Sequence, residues 1–114
     1  MKVGVRKSGE VIIVDLDAPL VAGMGDELLS DVMNELLAKK WKKILLNLSR
    51  ISKIDSSGIG EIVASVKLGE RFGSAVKLIN LSKQVRSVLD LTRILPLLEV
   101  HDNEKEALAA FVDP

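Results

Sequence analysis

Short apolar runs alternate along this chain with longer segments in which apolar residues recur every three or four positions. The runs are rich in β-branched and aliphatic residues, which favours buried strands. Residues 11–16 (VIIVDL) follow the turn-forming pair Ser8-Gly9 and predict a hairpin with residues 2–6. Three further strands are predicted at residues 44–48, 76–79 and 98–100.

The longer segments predict four helices. Residues 26–40 carry one apolar stripe, with acidic side chains at the start and lysines at the end, as the helix dipole favours. Residues 58–72 predict a second helix, which Gly73 ends, and Ser82 is a suitable cap for a third that reaches residue 91. Asn103 followed by Glu106 resembles a capping box for a last helix ending near Phe111.

The predicted order is therefore strand, strand, helix, strand, helix, strand, helix, strand, helix (ββαβαβαβα). Helices that alternate with strands imply parallel crossovers. We therefore expect an α/β fold with a mixed, mainly parallel sheet of four to five strands and about four helices. The 114 residues fit a single domain, residues 1–114.

Composition narrows the classes of function. Lysine plus arginine and aspartate plus glutamate number 16 each, so the net charge is zero, whereas nucleic-acid-binding proteins usually carry a basic excess. The absence of cysteine excludes disulfides, thiolate catalysis and cysteine-ligated zinc. No apolar run approaches the roughly 18 residues of a bilayer-spanning helix, and residues 1–9 lack a signal-peptide core. We therefore expect a cytoplasmic domain without membrane insertion or direct nucleic-acid binding.

The most informative stretch is residues 47–60, NLSRISKIDSSGIG. It runs from a buried strand through a polar turn into a helix, and Ser57 or Ser56 is a candidate cap for that helix. Gly58 and Gly60 keep side chains off the first turn, so that other groups can approach the backbone closely. A serine hydroxyl here is expected on the surface beside unpaired helix amides. The two glycines lack the third glycine of a dinucleotide-binding fingerprint.

An enzymatic role for Ser56 is not expected. A Ser-His-Asp triad requires a histidine base, and the single histidine is His101, far along the chain. The nucleophile pattern G-x-S-x-G is absent. A lone histidine without a cluster of ligands also argues against a metal site, so neither a metal nor a cofactor is predicted.

The stretch Asp55-Ser56-Ser57-Gly58-Ile59-Gly60 resembles the Asp-Ser-Ser/Thr-Gly-Leu-Gly signature of the STAS domain family, in particular of its anti-sigma factor antagonists. Four other segments are similar to family elements: ILLNL (44–48), VKLINL (76–81), QVRSVLDLT (84–92) and EKEALAAF (104–111). The resemblance covers nearly the whole chain with the same element order, and it implies a STAS-like fold.

The resemblance implies a binding module that is switched by phosphorylation. Its partner is a serine kinase of the histidine-kinase-like ATPase type that is also an anti-sigma factor. The unphosphorylated antagonist binds this kinase and releases the sigma factor. Ser56 corresponds to the serine that the kinase phosphorylates, and a metal-dependent serine phosphatase restores it. A phosphate beside Asp55 and near a helix N-terminus is expected to change binding without unfolding the domain.

The expected partner-binding residues are Asp55, Ser57, Gly58, Ile59 and Gly60, together with Leu20 and Met24. Leu20 and Met24 lie in residues 15–25 (DLDAPLVAGMG), a loop more apolar than is usual in the family. They either form an exposed patch for a partner or pack against the core. Asp55 is either a recognition acid or a turn residue, and Ser57 is a cap rather than a second phosphorylation site.

A second interpretation stays open. STAS-like domains also serve as non-catalytic adaptor subunits of stress-signalling assemblies and of bacterial lipid transporters. In that case Ser56 is a helix cap and the apolar loop carries the contact. The sequence leaves both a monomer and a weak dimer open.

Overall fold

The computed structural model describes residues 2–111 of the chain. The elements follow one another as β1 (Lys2–Ser8), β2 (Val11–Asp17), α1 (Gly25–Ala38), β3 (Lys43–Asn47), α2 (Ser56–Arg71), β4 (Ala75–Ile79), α3 (Lys83–Leu91), β5 (Val100–His101) and α4 (Glu104–Ala110). This succession confirms the predicted ββαβαβαβα order. Residues 1 and 112–114 of the predicted domain lie outside the described residues.

One five-stranded sheet forms the frame, in the order β1-β2-β3-β4-β5. β1 and β2 pair antiparallel in the predicted hairpin, and Gly9 adopts a left-handed conformation at its turn (φ 58°). β2, β3, β4 and β5 are parallel, so the prediction of a mixed, mainly parallel sheet is confirmed. We call the side where these four strands begin the amino edge and the side where they end the carboxyl edge.

The sheet buries a different apolar cluster on each face. Successive strand residues point to opposite faces, so Ile12 and Val14 pack in the larger cluster, to which α1, α2 and α3 contribute. Ile13 packs on the other face with Ala107 of α4 and with Phe111, which follows that helix. Because both clusters are mainly aliphatic, the core agrees with the low aromatic content of the chain.

Local signals account for three of the helix ends. The Ser82 hydroxyl accepts a hydrogen bond from the Val85 amide at 3.2 Å, and the Asn103 side chain accepts one from the Glu106 amide at 2.9 Å. Gly73 takes a left-handed φ of 74° just after α2. These three ends agree with the sequence prediction. Every helix within residues 2–111 is too short or too polar to cross a bilayer.

The last strand differs from its prediction. It was expected at residues 98–100 and is observed at Val100–His101. A 3₁₀ turn at Leu95–Leu97 precedes it, and the Leu98 amide still bonds to the Leu95 carbonyl at 3.1 Å. Pro96, which lacks an amide proton, favours this tight turn over an extended backbone, so the strand starts later.

Candidate functional site

Asp55 begins α2 at the carboxyl edge of the sheet. Its backbone is extended (φ −120°, ψ −173°), and its Oδ1 accepts a hydrogen bond from the Gly58 amide at 3.0 Å. Ser56 and Ser57 are the first two residues of the helix, so the prediction that one of them is the cap is wrong. The Asp55 carboxylate caps the helix instead, and both serine side chains are left without a capping role.

The second carboxylate oxygen of Asp55 holds the loop between β2 and α1. Oδ2 accepts a hydrogen bond from the Ala22 amide at 3.0 Å. The Ala22 amide, followed by that of Gly58, holds the pKa of Asp55 below its ordinary value of 3.8. Asp55 is therefore ionised at neutral pH and joins two distant segments of the chain. These contacts give Asp55 a role in the turn, and its recognition by a partner stays a prediction.

Leu20 lies beneath this junction. Its side chain is fully buried, its amide donates to the Lys53 carbonyl at 2.9 Å, and its carbonyl accepts from the Asp55 amide at 3.2 Å. A Cβ on Gly58 would lie 1.9 Å from the Leu20 carbonyl oxygen, so α2 approaches the loop this closely only with glycine. The expectation that Leu20 and Gly58 contact a partner is therefore corrected, because each is buried and they pack against each other.

Six exposed residues around this junction make up what we call the Ser56 surface. They are Ser56, Ser57 and Gly60 of α2, and Ala22, Gly23 and Met24 of the loop. Neither serine hydroxyl makes a hydrogen bond within residues 2–111. The two apolar loop residues that were expected to contact a partner therefore differ. Met24 is 37% exposed and is available to a partner, whereas Leu20 packs in the core. Ile59 is half-buried against the larger apolar cluster.

The two glycines of the signature have different environments. A Cβ on Gly60 would meet no atom within 4 Å, so no internal contact requires glycine there. Sequence reasoning treated Gly58 and Gly60 alike, and it missed Ala22 and Gly23. Asp55, the acid three residues before Gly58, is a local sequence signal for the observed helix cap. No local signal places Ala22 beside Asp55, since that contact spans 33 positions.

His101 does not meet Ser56. It ends β5, which β4 separates from β3, the strand that leads into the Ser56 turn. Its Nε2 lies 2.7 Å from Oε2 of Glu99. Within residues 2–111 the fold therefore pairs His101 with a carboxylate and gives Ser56 no histidine base.

A polar network ties α4 to the carboxyl edge. Arg6 of β1 donates to Asp15 at 2.7 Å and to Glu104 at 2.6 Å. Asn47 at the end of β3 donates to Asp15 at 2.7 Å. The Arg6 hydrogen bond is the main reason why the pKa of Asp15 is lowered. Sequence reasoning did not anticipate this network, whose members come from four separate elements.

Fold and site together define a small α/β domain that presents an exposed serine at the start of a helix. The STAS domain family model matches residues 2–107, so the chain belongs to the STAS domain family. The anti-sigma F factor antagonist of Paenibacillus polymyxa is 26% identical over 98 residues, which cover 86% of this chain and 84% of that protein. A Thermotoga neapolitana protein provisionally named as an anti-sigma factor antagonist is 35% identical over 77 residues, or 68% of each chain.

Comparison with solved structures agrees with the relatives found by sequence. The crystal structure of a Thermotoga maritima protein, also provisionally named as an anti-sigma factor antagonist, matches with a TM-score of 0.82 and 27% identity. The match covers 95% of this chain and 92% of that one. The predicted family and fold are thereby confirmed, and the chain is homologous to anti-sigma factor antagonists.

Proposed function

We propose that this STAS domain is an anti-sigma factor antagonist whose binding is switched by phosphorylation of Ser56. Unphosphorylated, it binds a serine kinase of the histidine-kinase-like ATPase type that is also an anti-sigma factor, and the sigma factor is released. A serine phosphatase resets the switch. The observation that carries the proposal is an exposed serine with an unpaired hydroxyl at the first residue of α2. The names of its relatives support the same role.

Ser56 suits a phosphoacceptor because its hydroxyl has no structural task. Asp55 already caps the helix, so a phosphate on Ser56 removes no hydrogen bond of the fold. The phosphate would lie near the positive end of the 16-residue α2, where anions are stabilised. Phosphorylation is therefore expected to leave the domain folded.

A phosphate changes the Ser56 surface through charge. It adds about −1.5 to −2 charges at neutral pH. The Asp55 carboxylate next to it is held by the Ala22 and Gly58 amides and does not turn away. In a protein interface, like charges brought together cost several kcal/mol, and about 3 kcal/mol is roughly a hundredfold in Kd. One phosphate is thus expected to weaken a specific contact strongly.

The remaining exposed groups describe the rest of the proposed contact. Met24 supplies an apolar side chain and Ser57 a second hydroxyl, while Ile59 contributes its exposed part. Gly60 leaves open space above the first turn of α2. A partner can therefore come close to the helix backbone there. The chain acts here as substrate and ligand of the kinase, without catalysis of its own.

The experiment is capture of partners from the native host with wild-type protein, Ser56→Ala and Ser56→Glu. Wild type and Ser56→Ala should retain the same kinase, whereas Ser56→Glu should retain at least about tenfold less, because a fixed charge meets the interface. Ser87→Glu is the matched control, since it adds the same charge at an exposed position of α3.

Addition of ATP to the captured complex separates the alternatives. The kinase should leave wild type and stay on Ser56→Ala, because only the former accepts phosphate. Equal release from both proteins would contradict the proposal. Capture of a transporter ATPase, insensitive to every Ser56 variant, would instead support the adaptor interpretation.

A further inference from the structure

A second surface lies at the amino edge of the sheet, away from Ser56. The link from α1 to β3 reads KKWKK (residues 39–43), β1 brings Lys7 to the hairpin, and α2 ends at Arg71. Phe72 follows Ser56 by 16 positions along α2, about 24 Å at 1.5 Å per residue. A ligand at this edge therefore leaves the Ser56 surface open.

Lysines dominate a cavity on this edge. It has a volume of about 420 Å³ and is lined by Lys7, Gly9, Glu10, Lys40, Trp41, Lys42 and Lys43. Glu10 is the one acid among its described lining residues, and it pairs with Lys43 at 3.0 Å. Lys7 and Lys40 are exposed and have no ion pair within residues 2–111. The described lining of the cavity thus carries an excess of positive charge.

An exposed phenyl ring stands beside Lys42, one of the lysines that line this cavity. Phe72 is 56% exposed at the turn that ends α2, and its carbonyl accepts a hydrogen bond from Lys42 Nζ at 2.8 Å. Gly73 reverses the chain there with a φ of 74°. Trp41 is half-buried against the larger apolar cluster and anchors the lysine-rich link to the core. The result is an exposed apolar ring beside the Lys42 amino group, at the same edge of the sheet as the lysine-lined cavity.

We propose that this amino edge docks on an anionic lipid surface. The lysine ammonium is a point charge, which suits attraction to the spread negative charge of an anionic membrane. A site for a single phosphate would instead favour arginine, whose guanidinium makes two parallel hydrogen bonds. An exposed phenyl ring among lysines is a pattern of interfacial lipid binding. Stacking of nucleic acid bases would instead use several rings along a groove. Since the net charge of the chain is zero, its electrostatic attraction to an anionic membrane depends on this edge. The attraction therefore orients the domain with this edge toward the membrane.

The test is sedimentation of the full chain with vesicles. Binding is expected to phosphatidylcholine vesicles that contain phosphatidylglycerol, not to pure phosphatidylcholine, and it should weaken in high salt. Lys7→Glu combined with Lys40→Glu should lower the partition coefficient at least about thirtyfold, because each lysine near an anionic surface matters about fivefold. Phe72→Ser should lower it about tenfold while leaving the salt dependence unchanged.

The matched control is Lys83→Glu combined with Lys105→Glu. It changes the net charge equally, at the starts of α3 and α4, and should keep vesicle binding. Thermal melts show whether each variant is folded. Equal binding to both vesicle types, or equal loss in the control, would overturn the proposal. Tighter binding to a DNA duplex or a polyglutamate peptide than to the anionic vesicles would also overturn it.

Discussion

Replacement of Gly58 by alanine probes the tightest point of the Ser56 site. The new Cβ would lie 1.9 Å from the Leu20 carbonyl oxygen, 2.8 Å from its carbon and 2.9 Å from the Leu20 Cγ. Such contacts must open to at least 3.0 Å, so α2 or the β2–α1 loop has to move by about 1.1 Å. Because the nearest atoms belong to the backbone, no side-chain rotation relieves the overlap.

The expected loss of stability follows from these contacts. The displaced carbonyl accepts the Asp55 amide, and that hydrogen bond contributes about 1 kcal/mol. An extra methyl group in a packed region costs about 1–3 kcal/mol, while the better helix propensity of alanine returns about 1 kcal/mol. We therefore expect a destabilisation of about 1–3 kcal/mol, or roughly 4–12 °C in Tm.

Urea unfolding followed by circular dichroism measures this change. Gly60→Ala is the matched control in the same helix turn. Its Cβ meets nothing within 4 Å, so alanine should stabilise the domain by about 0.5–1 kcal/mol. The two substitutions should thus have opposite signs. A Gly58→Ala protein as stable as wild type, or a destabilised Gly60→Ala protein, would show that the contact with the Leu20 carbonyl does not limit position 58.

Three further predictions concern the supports of the site. Ser82→Ala removes the cap of α3 and should lower the free energy of unfolding in urea by about 1 kcal/mol, whereas Ser87→Ala should change it little. Arg6→Met frees α4 from its ion pair with Glu104. Since the Arg6 side chain is 46% exposed, the loss should stay within about 1 kcal/mol, and amide exchange should speed up first in α4. The pKa of Asp55 is lowered in the folded state, so its ionised form stabilises the fold above about pH 4, and this stabilisation disappears as pH falls through the folded pKa. The difference in urea midpoint between wild type and Asp55→Asn should shrink on acidification, and a constant difference would contradict this account.

The element order was predictable because its signals are local. The hairpin follows from Ser8-Gly9 between two strand-like runs, and the caps Ser82 and Asn103 stand immediately before amphipathic segments. Each of these signals depends on neighbours within a few positions. Tertiary contacts did not override them.

The details of the site depend on contacts that are distant in sequence. Asp55, Ser56 and Ser57 are all suitable caps, and the choice among them depends on where the backbone turns helical. The Asp55 amide bonds to the Leu20 carbonyl, which keeps Asp55 extended, so the helix starts at Ser56, two residues before the predicted start at residue 58. The same close approach of Leu20 requires glycine at position 58, whereas no internal contact requires it at position 60. No local pattern contains a contact between segments so far apart.

The proposed function depends above all on Ser56 being a regulated phosphorylation site. Phosphopeptide mapping of the protein recovered from its native cells, with and without stress, tests it most directly. We expect phosphate on Ser56, an unmodified Ser57, and an occupancy at Ser56 that changes between the two conditions. Ser56 without phosphate in every condition would contradict the switch and, with the STAS fold unchanged, would favour the adaptor interpretation.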